Sequence, residues 1–286
     1  MAYAKYFLSG GKPRINSCAL RSLINRALAE DIGRGDITTQ LTIPKHKKIK
    51  VEIVAKENFI LCGIDVAKCV FKSVDPSINF YKKAQDGKDV KNKQAIAIVA
   101  GNARSILKAE RVALNLLSLM SATATKVRTF VKNIEPFKTK ITDTRKTFPG
   151  LRQLQKYAVK IGGGYNHRIR LDEMLLIKDN HLKILGGYFN LPSVPKGCKI
   201  EIEAQNMDEF RHALRFKPDV IMLDNMKIKD IKKAVKIRGK SPVKLEASGG
   251  INLANIRKYA ETGVDLISVG ELTDSVKSVD ISLEVD

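Results

Sequence analysis

The chain has 286 residues, of which 44% are hydrophobic and 28% charged, so it has enough apolar material for a sizeable core. This composition excludes a largely disordered chain, and the length favours about two domains. The formal net charge of +21 is unusual, and it points to nucleic acid, a membrane surface or small polyanions as partners.

The cysteines and the apolar segments bear on the cellular compartment. The four cysteines form no CxxC pair and have no histidine-rich neighbour, which argues against both a disulfide framework and a zinc site. We therefore expect reduced thiols and a cytoplasmic protein. The first residues, MAYAKYFLSGGKPR, contain no apolar run of signal-peptide length, and the longest uncharged stretch, 112–125, is too short to span a bilayer. We expect no membrane-spanning segment.

Much of the positive charge lies in lysine-rich runs at 45–56, 82–93 and 227–240. In the third run two sets of residues fall on opposite faces of a helix: Lys229, Lys232, Lys233 and Lys236 on one, and Ile228, Ile231 and Val235 on the other. This pattern predicts a solvated helix face. A basic nucleic-acid-binding protein stays open as the alternative that the net charge favours.

The first half of the chain predicts a mixture of helices and strands. Residues 19–31 are amphipathic and predict a helix that ends near Gly33, whereas the glycines and aspartates of DIGRGDITT (31–39) predict a loop. KIKVEIVAKEN alternates as a strand does. Residues 103–137 predict a long helix that bends or breaks at the Ser-Ala-Thr-Ala-Thr patch (121–125).

From residue 138 onward, short apolar segments alternate with helical ones, which is the rhythm of an α/β fold with parallel strands. The candidate strands are KITDT, MLLIK, KIEIE, VIMLD, VKLEA and DLISV, and the candidate helices lie at 151–161, 207–216, 227–238 and 252–261. Each strand ends in polar groups, and (β/α) barrels gather such strand ends at one mouth. The sequence therefore predicts a barrel mouth, with a doubly wound sheet as the alternative.

Two kinds of charged group are predicted to face each other at this mouth. The basic groups come from residues 140–182 and are Arg145, Lys146, Arg168 and Lys178. Glu203 and Asp224 end two later strands, and carboxylates there suit hydroxyl groups or Mg²⁺. Together they predict a ligand that is an anion carrying a sugar.

Glycines follow two of the strands. ASGGI (247–251) precedes the helical pattern NLANIRKYA, so it is expected to offer backbone N–H groups to a phosphate at a helix N-terminus, with SVG (268–270) beside it. Turn geometry alone is the alternative role for these glycines.

His167 and His181 are expected to form hydrogen bonds or to pack rather than to bind a metal ion. For Arg111, a structural ion pair with a nearby glutamate is the alternative to a functional role.

The motifs TDTRKTFPGLR, YAVKIGGGYNHR and LIKDNH closely resemble the quinolinate phosphoribosyltransferase family. Further matches along nearly the whole chain are EDIGRGDITT, AERVALN, IEIEAQN, IMLDNM, LEASGGI and ISVGELT. The resemblance implies an α/β fold: an N-terminal α/β sandwich domain over 1–119, joined by 276–286, and an incomplete barrel of about six strands over 120–275. It also implies a homodimer that transfers phosphoribosyl from phosphoribosyl pyrophosphate to quinolinate, releasing CO₂ and pyrophosphate and giving nicotinate mononucleotide for NAD biosynthesis.

The resemblance also implies roles for individual residues. The quinolinate site would comprise Arg111 of the adjacent subunit with Thr144, Arg145, Lys146, His167 and Arg168. The phosphoribosyl pyrophosphate site would comprise Lys178, Glu203, Asp224, Ser248, Gly249, Gly250, Val269, Gly270 and Glu271. Arg145, Lys146 and Lys178 would carry catalysis. Mg²⁺ would accompany phosphoribosyl pyrophosphate, and Glu203 and Asp224 would act on it through the substrate or water.

The chain departs from the family pattern in three places. Ala122-Thr123 stands where Gly-Ile is usual, Arg170 where a glycine is usual, and Asp274 where a histidine is common. Asp274 matters most, because a carboxylate near a phosphate repels it. A relative of the family associated with molybdenum transport is an alternative, which the motif LIKDNH disfavours.

Overall fold

The computed structural model describes residues 15–187 and 197–285. Within these ranges, no helix has both the length and the apolar character that crossing a bilayer requires. The described residues form two compact units, which we call the parallel-sheet unit and the antiparallel-sheet unit. The first contains Thr129–Thr147 and Gly164–Asp274; the second contains the residues up to Arg128, Phe148–Gly163 and the residues from Ser275 onward.

The helices and strands of the described residues are numbered in chain order. The helices are α1 Ser17–Ile32, α2 Ile37–Thr42, α3 Ile64–Val74, α4 Ala103–Asn133, α5 Arg152–Gly162, α6 Asp179–Leu185, α7 Met207–Arg215, α8 Ile228–Arg238, α9 Ile256–Ala260 and α10 Glu271–Asp274. The strands are β1 Lys48–Ala55, β2 Phe59–Ile60, β3 Asn79–Lys82, β4 Asp89–Val90, β5 Ala95–Asn102, β6 Lys140–Thr142, β7 Leu175–Ile177, β8 Ile200–Ala204, β9 Val220–Asp224, β10 Lys244–Ser248, β11 Leu266–Ser268 and β12 Ile281–Val285.

The antiparallel-sheet unit is built on a four-stranded sheet in the order β12-β1-β5-β3, beside a small β2-β4 pair. Strand β12 pairs antiparallel with β1, so the last described residues complete a sheet that begins near residue 48. Alternate residues of β1 face the core, where Val51, Ile53 and Ala55 are fully buried. Helix α1 ends at Gly33 as the amphipathic pattern predicts.

Two sequence predictions in this unit are wrong. The segment predicted as a loop, 31–39, contains the start of α2, because the side chain of Asp36 accepts the N–H of Thr39 and caps the helix. Helix α4 also runs without a break through the patch at 121–125. The hydroxyl groups of Thr123 and Thr125 donate to carbonyl oxygens one turn earlier, at 3.0 and 2.7 Å, and the hydroxyl of Ser121 donates to Cys62 O at 3.1 Å, so all three are satisfied.

The parallel-sheet unit confirms the predicted barrel. Its strands follow the order β6-β11-β10-β9-β8-β7, and every described pairing in this sheet is parallel. The first strand, β6, therefore lies beside the last, β11, which is the arrangement of a closing barrel and not of a doubly wound sheet. The barrel is incomplete because β6 and β7 do not pair within the described residues; a single parallel bridge joins Thr142 to Tyr165.

The helices of this unit follow the predicted positions, with one correction. Helices α7 and α8 occupy the predicted segments, and α8 exposes its lysines while Ile231 and Ala234 are buried. Helix α9 is shorter than predicted: it begins only at Ile256 and has 5 residues. The residues before it form a turn in which the side chain of Asn255 accepts the N–H of Asn252.

The interior of the barrel contains a buried polar cluster as well as aliphatic side chains. Glu201 of β8 and Glu246 of β10 are 0% exposed, and the ring of His167 lies between them, with Nε2 at 2.8 Å from Glu201 Oε2 and 3.8 Å from Glu246 Oε1. Burial, followed by repulsion from Glu201, raises the pKa of Glu246 to about 8. Glu246 therefore holds a proton near neutral pH.

Replacing Glu246 by glutamine tests this protonation. The unfolded chain loses the Glu246 proton above its ordinary pKa of 4.5, whereas the folded protein keeps it up to about pH 8. The free energy of unfolding of the wild type should fall relative to Glu246→Gln by up to about 1.4 kcal/mol per pH unit between those values. Denaturant unfolding of both proteins across this range measures the difference. A difference that does not change with pH would contradict the protonated carboxyl.

Candidate active site

A cavity of about 690 Å³ opens at the carboxyl ends of the barrel strands. Its walls bring together most of the residues that the sequence analysis selected: Thr144, Arg145, Lys146, His167, Arg168, Lys178, Glu203, Asp224, Ser248, Gly249, Gly250, Gly270 and Glu271. Parallel strands place these side chains at one edge although 127 positions separate the first from the last.

Two selected residues lie elsewhere. Val269 is 1% exposed and its N–H donates to Thr142 O at 3.0 Å, so it belongs to the strand packing beneath the mouth. Arg111 belongs to the antiparallel-sheet unit, on α4, where its side chain is 64% exposed and lies 3.6 Å from Glu110 Oε1. The ion pair expected as the alternative for Arg111 therefore exists, but at the surface, where such pairs contribute little to stability.

The basic wall of the cavity is carried by the segments that follow β6 and precede β7. The loop after β6 is held by the hydroxyl of Thr144, which accepts the N–H of Lys146 at 3.0 Å, and by Thr273 Oγ1, which donates to Lys146 O at 2.6 Å. Arg168 Nη1 donates to Met174 O at 3.0 Å. The first and third of these bonds hold each segment internally, and the second ties the loop after β6 to α10.

The electrostatics of this wall favour an anion. Burial, and then repulsion from Arg145, lower the pKa of Arg168, while the charge of Glu201 opposes that shift. An arginine remains charged even so. The repulsion between Arg145 and Arg168 is offset in part by the buried carboxylate of Glu201. A ligand that brings further negative charge would offset more of it.

The acidic wall lies at the ends of β8 and β9. The side chain of Glu203 is 7% exposed, and Lys178 Nζ approaches its Oε2 at 3.5 Å. Burial raises the pKa of Glu203, Lys178 lowers it, and Asp224 raises it again. Asp224 Oδ2 accepts a hydrogen bond from Asn225 Nδ2 at 2.7 Å. This wall can accept hydrogen bonds from hydroxyl groups or interact with a cation.

The glycines form a third wall in which backbone is open to a ligand. Gly249 has φ +94°, and a Cβ there would lie 2.2 Å from Asn225 Oδ1, so no other residue fits without a shift. Gly250 has φ +60° and nothing within 4 Å of a Cβ position. One expectation is corrected: these glycines do not start a helix, because α9 begins at Ile256. Their N–H groups belong to a turn.

The three departures from the family pattern have separate surroundings. Ala122 and Thr123 are buried within α4. Arg170 is exposed, and its Nε lies 3.2 Å from Asp172 Oδ1, so a surface ion pair offsets its charge. Asp274 does line the cavity: its Oδ2 would lie 3.1 Å from a Cβ on Gly270, and the side chain of Lys146 flanks the same glycine.

Sequence reasoning did not select Glu201, and it noted Glu246 only as a polar group near a strand end. Both lie two residues before a selected residue, Glu203 and Ser248 respectively, in a strand whose alternate residues share a face. The inward direction of Glu203 therefore implied an inward direction for Glu201. The missing signal was the partner: nothing in the sequence alone pairs His167 with a residue 34 positions later.

Comparison with known proteins identifies the family to which the chain belongs. Family models for the N-terminal and the C-terminal domains of quinolinate phosphoribosyl transferase match residues 36–121 and 123–284. The chain is 43% identical to a probable nicotinate-nucleotide pyrophosphorylase [carboxylating] of Methanocaldococcus jannaschii over 275 residues, covering 92% of this chain and 96% of the relative.

Solved structures agree. The structure of the nicotinate-nucleotide pyrophosphorylase from Francisella tularensis is similar, with a TM-score of 0.90 and 41% identity, covering 96% of this chain and 99% of that one. The enzyme of the same name from Ehrlichia chaffeensis gives a TM-score of 0.89 and 37% identity, covering 96% of this chain and 100% of that one. The chain belongs to the quinolinate phosphoribosyltransferase family.

Proposed function

We propose that this protein transfers the phosphoribosyl group of phosphoribosyl pyrophosphate to quinolinate and releases CO₂ and pyrophosphate, giving nicotinate mononucleotide for NAD biosynthesis. The observation that carries the proposal is the single cavity in which a basic wall faces a carboxylate wall and a glycine turn. A pyridine dicarboxylate and a phosphorylated sugar need these three kinds of surface together.

The basic wall suits the two carboxylates of quinolinate. Arg145 and Arg168 offer planar guanidinium groups that can bind carboxylates in bidentate fashion, and Lys146 adds a third charge. Thr144 lies in the same loop. A ligand with a single carboxylate would make fewer charge-assisted hydrogen bonds to these cations. The wall therefore supports a dicarboxylate as the acceptor substrate.

The other two walls suit phosphoribosyl pyrophosphate. Glu203 and Asp224 can accept hydrogen bonds from ribose hydroxyl groups, and Lys178 lies beside them to meet a phosphate. Ser248, Gly249, Gly250, Gly270 and Glu271 surround the turn that would hold the 5′-phosphate. The carboxylates fit Mg²⁺, which prefers oxygen ligands, acting through the substrate or water. When bound, Mg²⁺ would supply positive charge to the departing pyrophosphate.

The reaction needs little from the protein beyond orientation and charge. The pyridine nitrogen is unprotonated near neutral pH, so it can attack the anomeric carbon without a general base. The new bond makes the nitrogen quaternary, and its positive charge then stabilises the carbanion that remains when the adjacent carboxylate leaves as CO₂. The carbanion takes up a proton. Arg145 and Lys146 would hold the ring, and Lys178 would offset charge on the leaving group.

The activity is tested by incubating the protein with quinolinate, phosphoribosyl pyrophosphate and Mg²⁺. We expect equal amounts of CO₂ and nicotinate mononucleotide, because decarboxylation follows transfer on the same molecule. Removing Mg²⁺ with a chelator should abolish both products, and restoring it should recover them. Retention on DNA that weakens with salt, without any product, would instead favour a basic nucleic-acid-binding protein.

We further propose that the active unit is a homodimer in which Arg111 of one subunit reaches the quinolinate site of the other. The guanidinium of Arg111 is well exposed, and its only described ion pair is the 3.6 Å contact with Glu110, which a stronger anionic partner can replace. A third guanidinium would add further hydrogen bonds to the two carboxylates of quinolinate.

A cytoplasmic location is also proposed, since all four cysteines are free thiols.

Co-expression of two inactive variants tests the shared site. Arg111→Ala and Arg145→Ala should each fold and lose most activity. In mixed dimers one site regains both arginines, so roughly one quarter of all sites should work after random pairing.

The matched control pairs Arg145→Ala with Arg168→Ala. These residues lie in the same subunit's wall, so no mixed dimer contains an intact site and activity should stay absent. Recovery in the control pair, or no recovery in the test pair, would contradict the exchange of Arg111.

A further inference from the structure

We propose that Glu201 is a positioning residue of the quinolinate pocket: its carboxylate fixes the imidazole of His167, and the imidazole in turn fixes Arg168 at the cavity wall. The proposal rests on the proposed function, because quinolinate is the ligand that Arg168 is expected to bind. Glu201 itself is 0% exposed and cannot touch a ligand.

Glu201 and His167 share a short, buried hydrogen bond. Glu201 Oε2 lies 2.8 Å from His167 Nε2, and the two side chains are 0% and 6% exposed. A short hydrogen bond to a buried carboxylate is stronger than one in water, because no solvent competes for either partner. Glu201 therefore sets the direction of the imidazole ring.

A second hydrogen bond determines the tautomer of His167. The backbone N–H of Arg168 donates to His167 Nδ1 at 2.9 Å. A backbone N–H can only donate, so Nδ1 must accept, and the single ring hydrogen must lie on Nε2 and point to Glu201. Both ring nitrogens are thus used within the protein. His167 lines the cavity, but its ring has no nitrogen left to bind quinolinate directly.

These bonds also hold Arg168. Its backbone is held by the imidazole, and its Nη1 donates to Met174 O at 3.0 Å. The N–H of His167 donates to Asp143 Oδ1 at 2.8 Å, so the His167–Arg168 pair is held from β6 on one side and from β8 on the other. The position of the Arg168 guanidinium depends on both attachments.

A metal ion is the rival explanation for this cluster. His167, Glu201 and Glu246 have the residue types of a metal site and lie close together. Two ligands of one tetrahedral zinc ion, however, lie roughly 3.4 Å apart, given the usual bond lengths. The 2.8 Å between His167 Nε2 and Glu201 Oε2 is a hydrogen-bond distance. The geometry therefore favours a proton between these atoms.

The test compares two substitutions at Glu201. Glu201→Gln keeps an oxygen that can accept from Nε2, whereas Glu201→Leu has a similar size and no acceptor, so the ring can turn toward Glu246. We expect the leucine variant to raise KM for quinolinate by at least roughly tenfold, the effect of one buried hydrogen bond, with KM for phosphoribosyl pyrophosphate unchanged. The glutamine variant should recover most of that loss. Equal loss in both variants would overturn the proposal.

A double-mutant cycle then asks whether Glu201 acts through His167. If it does, adding Glu201→Leu to His167→Phe should raise KM for quinolinate no further than His167→Phe alone. Multiplying effects would overturn the proposal. Thr139→Val is the control for the loss of any buried hydrogen bond in the barrel: Thr139 donates to Val264 O at 2.8 Å and does not line the cavity. It should lower the melting temperature and leave both KM values unchanged.

A second pair of variants covers the case in which Glu201→Leu does not fold. His167→Asn keeps an acceptor near the Nδ1 position, and His167→Leu does not. A KM for quinolinate that is lower in His167→Asn than in His167→Leu supports positioning, whereas equal KM values in the two variants would overturn the proposal. The wild type separates the two claims. An inactive wild type contradicts the proposed function, whereas an active wild type with an unaffected Glu201→Leu variant contradicts only the role of Glu201.

Discussion

The placement of Arg145 and Arg168 at one wall of the cavity is the constraint on which the site depends. Two cations at one wall, with Lys146 beside them, are unfavourable unless negative charge offsets them. The protein provides one such charge in the buried carboxylate of Glu201, which opposes the lowered pKa of Arg168. A bound anion would add further negative charge to this wall. This wall therefore favours anions before any ligand shape is considered.

The incomplete barrel makes this arrangement possible. Because β6 lies beside β11, the loop that carries Arg145 meets Gly270, while Arg168 comes from the segment that spans the gap between β6 and β7. A closed barrel would place a paired strand at that gap. The irregular segment instead attaches to the barrel through Asp143 and Glu201. The gap in the sheet thus leaves room for the segment that carries Arg168, and the buried polar cluster holds that segment in place.

Much of this could be predicted from the sequence, for physical reasons that differ between elements. The barrel strands are buried on both sides, so they appear as short apolar runs, and the polar residue after each run marks the mouth. Two features resisted prediction because they depend on contacts distant in sequence. Helix α4 tolerates its hydroxyl-rich patch because Ser121 Oγ also accepts the N–H of Cys62 at 3.0 Å. Glu201 can be buried because His167 Nε2 forms a hydrogen bond with its carboxylate, and the sequence does not show that contact.

The central claim is that the basic wall recognises two carboxylates, and equilibrium binding measures it most directly. Titration calorimetry can compare quinolinate with nicotinate, which has the same ring and one carboxylate fewer. We predict that quinolinate binds at least roughly tenfold more tightly, a difference of about 1.4 kcal/mol, because nicotinate offers one carboxylate fewer to the cations of the wall. Equal affinity for the two compounds would contradict the claim.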